Sequence, residues 1–475
     1  MMSARNVLPL AALLAFAGCD TVRNAREAQS RAEESALAAP AAAKKVDLSG
    51  RSLEELVAYA LTNRPSMAAA ALAVKDARLA MKEIESDAPI ASSTPWNAIG
   101  ADVSARYSET SPSRHSGDFE TSTRKGTASA SLSVDLLLYD FGRNSARAEA
   151  QAETVVAAEL SLAKEGFSVF GDVSSAYFTL LKNDALLAVA ETNVAMYAVH
   201  LEQAREMLEV GEAIELDVLR AELDLATARE SLVAASNDVA TAGANLMEAL
   251  GVEASAGGFA AVLGPRPGSL DETVRNFSDT VSSAAEAYSF ASTNAPEVVI
   301  ARAKLRAASA RVDYAIADLL PSVSASVSLN WADPLWYWGW GVSAVETLFT
   351  GFRRTTAVDR AVVAMESAAS DVQAAELALS ADLELAVAER DNAREALSAA
   401  RARVAQAKEN LDTVSERYRI GEASRVDFTD AVSAYASALG NRVGAFYRGQ
   451  TAEADLLRIS GLKPEFHEEK RREEN

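Results

Sequence analysis

Apolar residues recur at helical spacing from the fifties onward: Leu53, Leu56, Val57, Ala60 and Leu61 form one stripe of a 3.6-residue period. Ser52 and Glu55 make a capping box ahead of it. Asn63-Arg64-Pro65 breaks that helix. A second, marked by Met67, Leu72, Val74, Leu79 and Ile84, runs to about Asp87. The period then falls to 2. Ile99, Ala101, Val103, Ala105 and Tyr107 alternate with Gly100, Asp102, Ser104, Arg106 and Ser108. After a polar stretch from Thr110 to Lys125, Ala128, Ala130, Leu132, Val134 and Leu136 alternate with Ser129, Ser131, Ser133 and Asp135. Two strands joined by a long, mobile loop are predicted, one face apolar and the other almost wholly Ser, Thr, Asp or Gly. That face pattern suits a barrel with a wet lumen and an apolar exterior. A soluble sheet on a core has the same local pattern.

Long helices follow. Between Asn144 and about Glu209 there is no Pro, and Gly166 and Gly171 are the only glycines. At 1.5 Å per residue such a helix is a rod of roughly 100 Å. Gly211-Glu-Ala then predicts a tight turn, and a return helix reaches Leu250 before Gly251. After the Gly- and Pro-bearing stretch 252–275 the plan repeats. Asn294-Ala295-Pro296 answers Asn63-Arg64-Pro65, and Leu319-Leu-Pro-Ser322 ends a helix and starts a strand. Val323, Ala325, Val327, Leu329 and Trp331 alternate with serines and Asn330, and Trp336, Trp338 and Trp340 follow beyond Asp333-Pro334. A second rod from Arg354 to Arg419 leads to Gly421-Glu-Ala and a return helix.

Three landmark pairs, Leu138 and Leu348, Gly211 and Gly421, Gly251 and Gly461, are each 210 residues apart, which indicates internal duplication. Comparing the Asn-to-Leu intervals, the first strand hairpin is about 21 residues longer than the second. In both copies an Asp (Asp217, Asp427) stands six places after the turn glycine. Ser424 to Asp427 is also a capping box, so that aspartate has a local reason to be there. The expected organisation is a signal peptide at 1–18, a tether at 19–50, and a first repeat at 51–251. That repeat holds a β-hairpin at about 98–137 and a helical hairpin at about 144–250. The linker is placed at 252–275 and the second repeat at 276–462, with hairpins at about 322–348 and 354–460. Residues 463–475 read as a disordered tail.

Composition narrows the class. The 475 residues carry a net charge of −21 and are only 6% aromatic, with much of the 49% hydrophobic content being Ala. Ala-rich chains of this kind favour long, closely packed helices. The acidic balance excludes nucleic acid as a partner, because phosphates need clustered Lys and Arg. The three histidines, His115, His200 and His467, match no metal-ligand or triad spacing and read as surface or filler residues. No catalytic pair, cofactor-binding loop or metal cluster is present in the pattern, so an enzyme is not expected. The lone Cys19 closes a short apolar run, Val7 to Ala17, behind a weakly basic start. Ala17-Gly18-Cys19 resembles a bacterial lipobox, which would make Cys19 the lipidated, palmitate-bearing first residue of the mature chain. A plain signal peptide with a free thiol is the other reading.

Four strands cannot close a barrel, and open edges cannot face lipid. Three chains supply about twelve strands, a plausible closed number. Trp331, Trp336, Trp338 and Trp340 would then sit at a membrane interface. The alternative is a periplasmic coiled-coil adaptor or structural protein with a soluble β domain. The paired strand hairpins, the Leu-Pro-Ser before a strand, the Phe-Gly-Arg-like entry to each rod and the two Gly turns together resemble the TolC family of outer membrane efflux proteins, its lipoprotein branch above all, over residues 50–462. The resemblance implies an α+β membrane protein: a homotrimer with a 12-stranded β-barrel in outer membrane lipid and an α-helical tunnel in the periplasm. It implies a passive exit duct of a tripartite efflux or type I secretion system, working with a periplasmic adaptor and an inner-membrane transporter. It places the periplasmic aperture at Asp217, Tyr418, Asp427 and Asp430. Ala423 stands where the family has an arginine of the closing network, with Arg425 as a candidate substitute. The tips Gly211, Glu212, Ala213, Gly421, Glu422 and Ala423 would dock the adaptor.

Overall fold

The structure is a computed structural model that describes residues 23–33, 52–86, 99–110, 125–211, 214–252, 284–332, 335–347, 349–420 and 422–461. Cys19, Glu212, Ala213, Gly421, His115 and His467 lie outside them, as do the linker stretch from 253 and the tail. Residues 23–33 form helix α1. The order thereafter is α2 (Leu53–Asn63), α3 (Pro65–Ser86), β1 (Ile99–Thr110), β2 (Lys125–Tyr139), α4 (Arg143–Glu209) and α5 (Glu215–Ala249). The second half runs α6 (Ala284–Asn294), α7 (Pro296–Ala317), β3 (Ser322–Ala332), β4 (Leu335–Val345), α8 (Arg353–Arg419) and α9 (Arg425–Ser460).

The two halves match element by element. α2 and α6 are each 11 residues and α3 and α7 each 22. The rods α4 and α8 are each 67 residues, about 100 Å long at the α-helical rise. Each short helix ends at an Asn-x-Pro, because Pro bars the preceding residue from helical backbone. Ser52 caps α2, its hydroxyl accepting from the Glu55 N–H at 3.4 Å.

The strands form one antiparallel sheet in the order β1-β2-β3-β4. Its register sorts residue types into rows. Leu132 pairs with Leu329 and Leu329 with Trp338, and Val134 with Val327 and Val327 with Trp340. Between these rows Ser131 pairs with Asn330, Ser133 with Ser328 and Asp135 with Ser326. Hydroxyls meet across strands on the polar rows, Ser104 with Ser131 at 2.8 Å and Ser324 with Ser343 at 3.3 Å. Trp331 and Trp336 lie opposite each other with ring centroids 6.2 Å apart. Trp338 and Trp340 are each 72% exposed.

Two consecutive left-handed residues link each sheet half to its rod: Phe141 and Gly142 (φ 53° and 87°), then Gly351 and Phe352 (φ 64° and 65°). The backbone path repeats although Gly and Phe exchange places. Buried Asp140 holds the first of these turns by accepting from the N–H groups of Gly142 and Asn144 at 3.2 and 2.8 Å. Asp318, at the end of α7, reaches the start of both rods through Arg143 at 3.2 Å and Arg354 at 3.5 Å.

The core lies at mid-height. Leu56, Val169, Val173, Leu180, Leu246 and Leu250 are fully buried where α2, α4, α5 and α9 meet. A smaller cluster joins α6 and the start of α7 to Leu379 and Leu383 of α8. Each rod packs along its own return helix, α4 on α5 and α8 on α9, and both rods pack on α7, with ion pairs such as Arg306–Glu153 at 2.8 Å and Arg302–Glu376 at 2.8 Å from α7 to α4 and α8. Half-exposed pairs of this kind fix register more than they add stability. No described helix is long and apolar enough to cross a membrane.

Each return helix ends on a left-handed glycine pressed against the Asn-x-Pro break of its own half. A Cβ on Gly251 (φ 71°) would stand 3.1 Å from Arg64 Cα, and one on Gly461 (φ 70°) would stand 2.8 Å from the Asn294 carbonyl oxygen. Both positions require glycine on conformation, and at Gly461 the approach also leaves no space for a Cβ. Gly461→Ala is expected to destabilise the folded protein by about 1–3 kcal/mol. Denaturant unfolding in detergent, followed by tryptophan fluorescence, checks this, and an unchanged midpoint would show that the contact yields freely.

Candidate functional site

The ends of the rods far from the sheet bring the remaining polar candidates together. Gly211 turns the chain out of α4 with φ 81° and open space around its Cα, so it is needed for backbone conformation alone. Ile214 opens α5, and its N–H donates to Asp217 Oδ2 at 3.5 Å, the long end of hydrogen bonding. At the other tip the N–H groups of Glu422 and Ala423 donate to the Arg417 carbonyl at 2.8 and 3.2 Å, closing the end of α8.

Ser424 and Asp427 form a reciprocal cap at the start of α9. The Ser424 hydroxyl accepts from the Asp427 N–H at 3.2 Å. Asp427 Oδ2 accepts from the Ser424 hydroxyl at 2.7 Å and from its N–H at 3.0 Å. Those bonds, the hydroxyl's first, hold the Asp427 carboxyl below the ordinary carboxylate range. Asp217 and Asp427 therefore both serve helix starts, where carboxylates are favoured anyway. Asp430, one turn deeper, is exposed and free of a capping role.

Behind the caps lies an aromatic cluster. Tyr418 is buried and stacks on Phe428, ring centroids 5.2 Å apart and planes 27° apart. Leu411, Ala431 and Val432 complete the cluster, with Met196 and Tyr197 of α4 packed on it. A second small cluster joins Leu201 and Ala204 of α4 to Ala221 and Leu225 of α5, and Tyr197 touches both. Burial chiefly raises the Tyr197 and Tyr418 pKa values above the ordinary phenol range, with Asp224 and Asp430 adding to the first and Asp217 to the second.

Two features here could not be placed from spacing along the chain. Asp224 of α5 accepts from Arg425 of α9 at 2.9 Å, tying one hairpin to the other across 201 positions of chain. His200, which the spacing assigns to surface or filler, is fully buried. Its ring stands 4.7 Å from Phe428 and 5.3 Å from Tyr418. The amphipathic pattern could place His200 on an inward face, but not opposite a particular ring of another hairpin. Among the described residues no group of His, Cys, Asp and Glu could hold a metal ion.

Comparison with known proteins accounts for this architecture. Residues 56–252 and 287–462 match the outer membrane efflux protein family. The chain is 24% identical over 365 residues to the outer membrane efflux protein BepC of Brucella suis, spanning 72% of this chain and 76% of that one. A membrane protein of Pseudomonas aeruginosa superposes with a TM-score of 0.73 at 20% identity, over 89% of this chain and 95% of the other. The outer membrane protein VceC of Vibrio cholerae does so with a TM-score of 0.72 at 17% identity, over 86% and 96%. These likenesses establish a TolC-like channel fold, and the family match takes in both helical hairpins, which sets aside the soluble adaptor reading. The chain belongs to the outer membrane efflux protein family, the outer membrane exit ducts of tripartite efflux systems.

Proposed function

We propose that three copies of this chain close into one pipe that carries efflux substrates from the periplasm across the outer membrane. The observation that carries the reading is the sheet: four strands with two unpaired edges and a row of exposed tryptophans. Such a sheet is stable in lipid only when its edges are paired by further copies. Twelve strands would close it, with the serine rows lining water and Trp336, Trp338 and Trp340 on the lipid side. The six rods then continue the lumen as a helical tunnel below the membrane.

The hairpin tips form the closed end in this reading. Three-fold symmetry gathers Asp217, Asp427 and Asp430 around one axis, within reach of one another at a Debye length of ~8 Å. Tyr418 braces that end from inside each chain through its stack on Phe428. Arg425 takes the closing role that Ala423 cannot, through its ion pair with Asp224. In this reading Gly211 to Ala213 and Gly421 to Ala423 meet a periplasmic adaptor that links the duct to an inner-membrane transporter. Cys19, after lipidation, adds an anchor in the outer membrane.

Asp430→Ala is expected to lower cation over anion selectivity in single-channel recordings, and unchanged selectivity would remove Asp430 from the lumen. Glu422→Trp is expected to cut drug export while assembly and membrane insertion persist; normal export would remove the docking role of that tip. Cys19→Ser is expected to abolish incorporation of labelled palmitate, and equal labelling of the variant would show that Cys19 carries no lipid.

A further inference from the structure

His200 stands out among the groups that the duct reading does not use. It is fully buried, and neither imidazole nitrogen has a hydrogen-bond partner among the described residues. A neutral imidazole has one donor and one acceptor, and burying both unmade is unfavourable. An apolar side chain would fill the same space without that cost. The ring sits at the seam between hairpins: it comes from α4 and packs on Tyr418 of α8 and Phe428 of α9.

The surroundings accept the neutral ring and oppose the charged one. From α9 the guanidinium of Arg425 faces it, and from α5 the carboxylate of Asp224, already engaged by that arginine. Burial is the main influence, and with Arg425 it pushes the His200 pKa below the ordinary histidine range against the smaller opposing pull of Asp224. The other titratable groups of the seam are Tyr197 on α4, Tyr418 on α8, Asp217 on α5, and Asp427 and Asp430 on α9. Both tyrosines are pushed up and Asp427 is pushed down, so none of these three changes charge between about pH 5 and 7.

We propose that His200 is a proton-operated release at the tip: neutral, it packs the two hairpins against each other, and protonated, it leaves the seam so that they part. This rests on the tips being the closed end of the duct. Because the folded pKa is depressed, the packing is fully available above the ordinary histidine pKa. It weakens as pH falls from there toward the folded value, where the loosened state binds the extra proton. Acid therefore opens the tip.

The test uses the purified full-length protein in planar lipid bilayers, recorded from about pH 7.5 down to about pH 5. Wild-type channels are expected to gain open probability severalfold over that range, in the direction that the depressed pKa gives. His200→Leu and His200→Gln, which cannot take up the proton, are expected to lose that step while still forming channels. Titration of lumen carboxylates would change conductance equally in all three proteins, so the difference isolates the imidazole. Hydrogen–deuterium exchange at the imidazole carbon of His200, read by mass spectrometry, should titrate below the ordinary histidine range. A wild-type step retained in both variants, or an ordinary or raised His200 midpoint, would overturn the proposal. So would wild-type channels indifferent to acid, whereas failure of the wild type to form channels at any pH would overturn the duct reading and this proposal with it.

Discussion

An open sheet edge in a sheet with an apolar face is the constraint from which the rest of this protein follows. Backbone N–H and C=O groups on the outer sides of β1 and β4 have no partner within the chain's four-stranded sheet. In water such groups invite uncontrolled pairing, and in lipid they are untenable. The tryptophans on β4 remove the first environment as a resting place, since Trp338 and Trp340 stand largely exposed. The sheet is stable once further copies pair its edges and lipid covers its apolar rows. Symmetry is thus a requirement of the backbone before it is a property of the channel.

The helices serve that geometry. Each half carries the same lengths, 11, 22 and 67 residues, so the two rods of a chain end level with each other. Asp318 reaches the start of both rods at the sheet, and Arg425 with Asp224 ties the two hairpins at the far end. Between them, Gly251 and Gly461 seat the return helices closely on the short ones. Long helices packed side by side have little to resist sliding, and these fixed points supply what smooth packing does not. At the tip the two hairpins meet through a small aromatic cluster and the Arg425–Asp224 pair.

Much of this was legible in the amino-acid order because period and breaker residues act locally. The switch from a 3.6 to a 2 period placed strands at Ile99 and Ser322, and Asn-x-Pro marked the ends of α2 and α6. The Ser424 cap followed from four adjacent residues. The sheet rows were legible as alternation, although the order β1-β2-β3-β4, which pairs β2 with a strand nearly 200 residues away, was not. The site was less legible for the same reason. Asp217, Asp427 and Asp430 are visible because they follow turn glycines, but their neighbours across the seam are set by how the two hairpins meet. The ring contacts of His200 and the pairing of Arg425 with Asp224 belong to that second kind of information. Spacing within one helix cannot say which ring of another helix lies 4.7 Å away.

The central claim is that the outer edges of β1 and β4 are paired by neighbouring copies. Amide hydrogen exchange on the detergent-purified, full-length protein tests it directly, strand by strand. The outward-pointing amides of β1 and β4 are expected to exchange as slowly as those between β2 and β3. Rapid exchange confined to those edge amides, with β2 and β3 protected, would mean that the sheet ends where one chain ends, and the pipe does not exist.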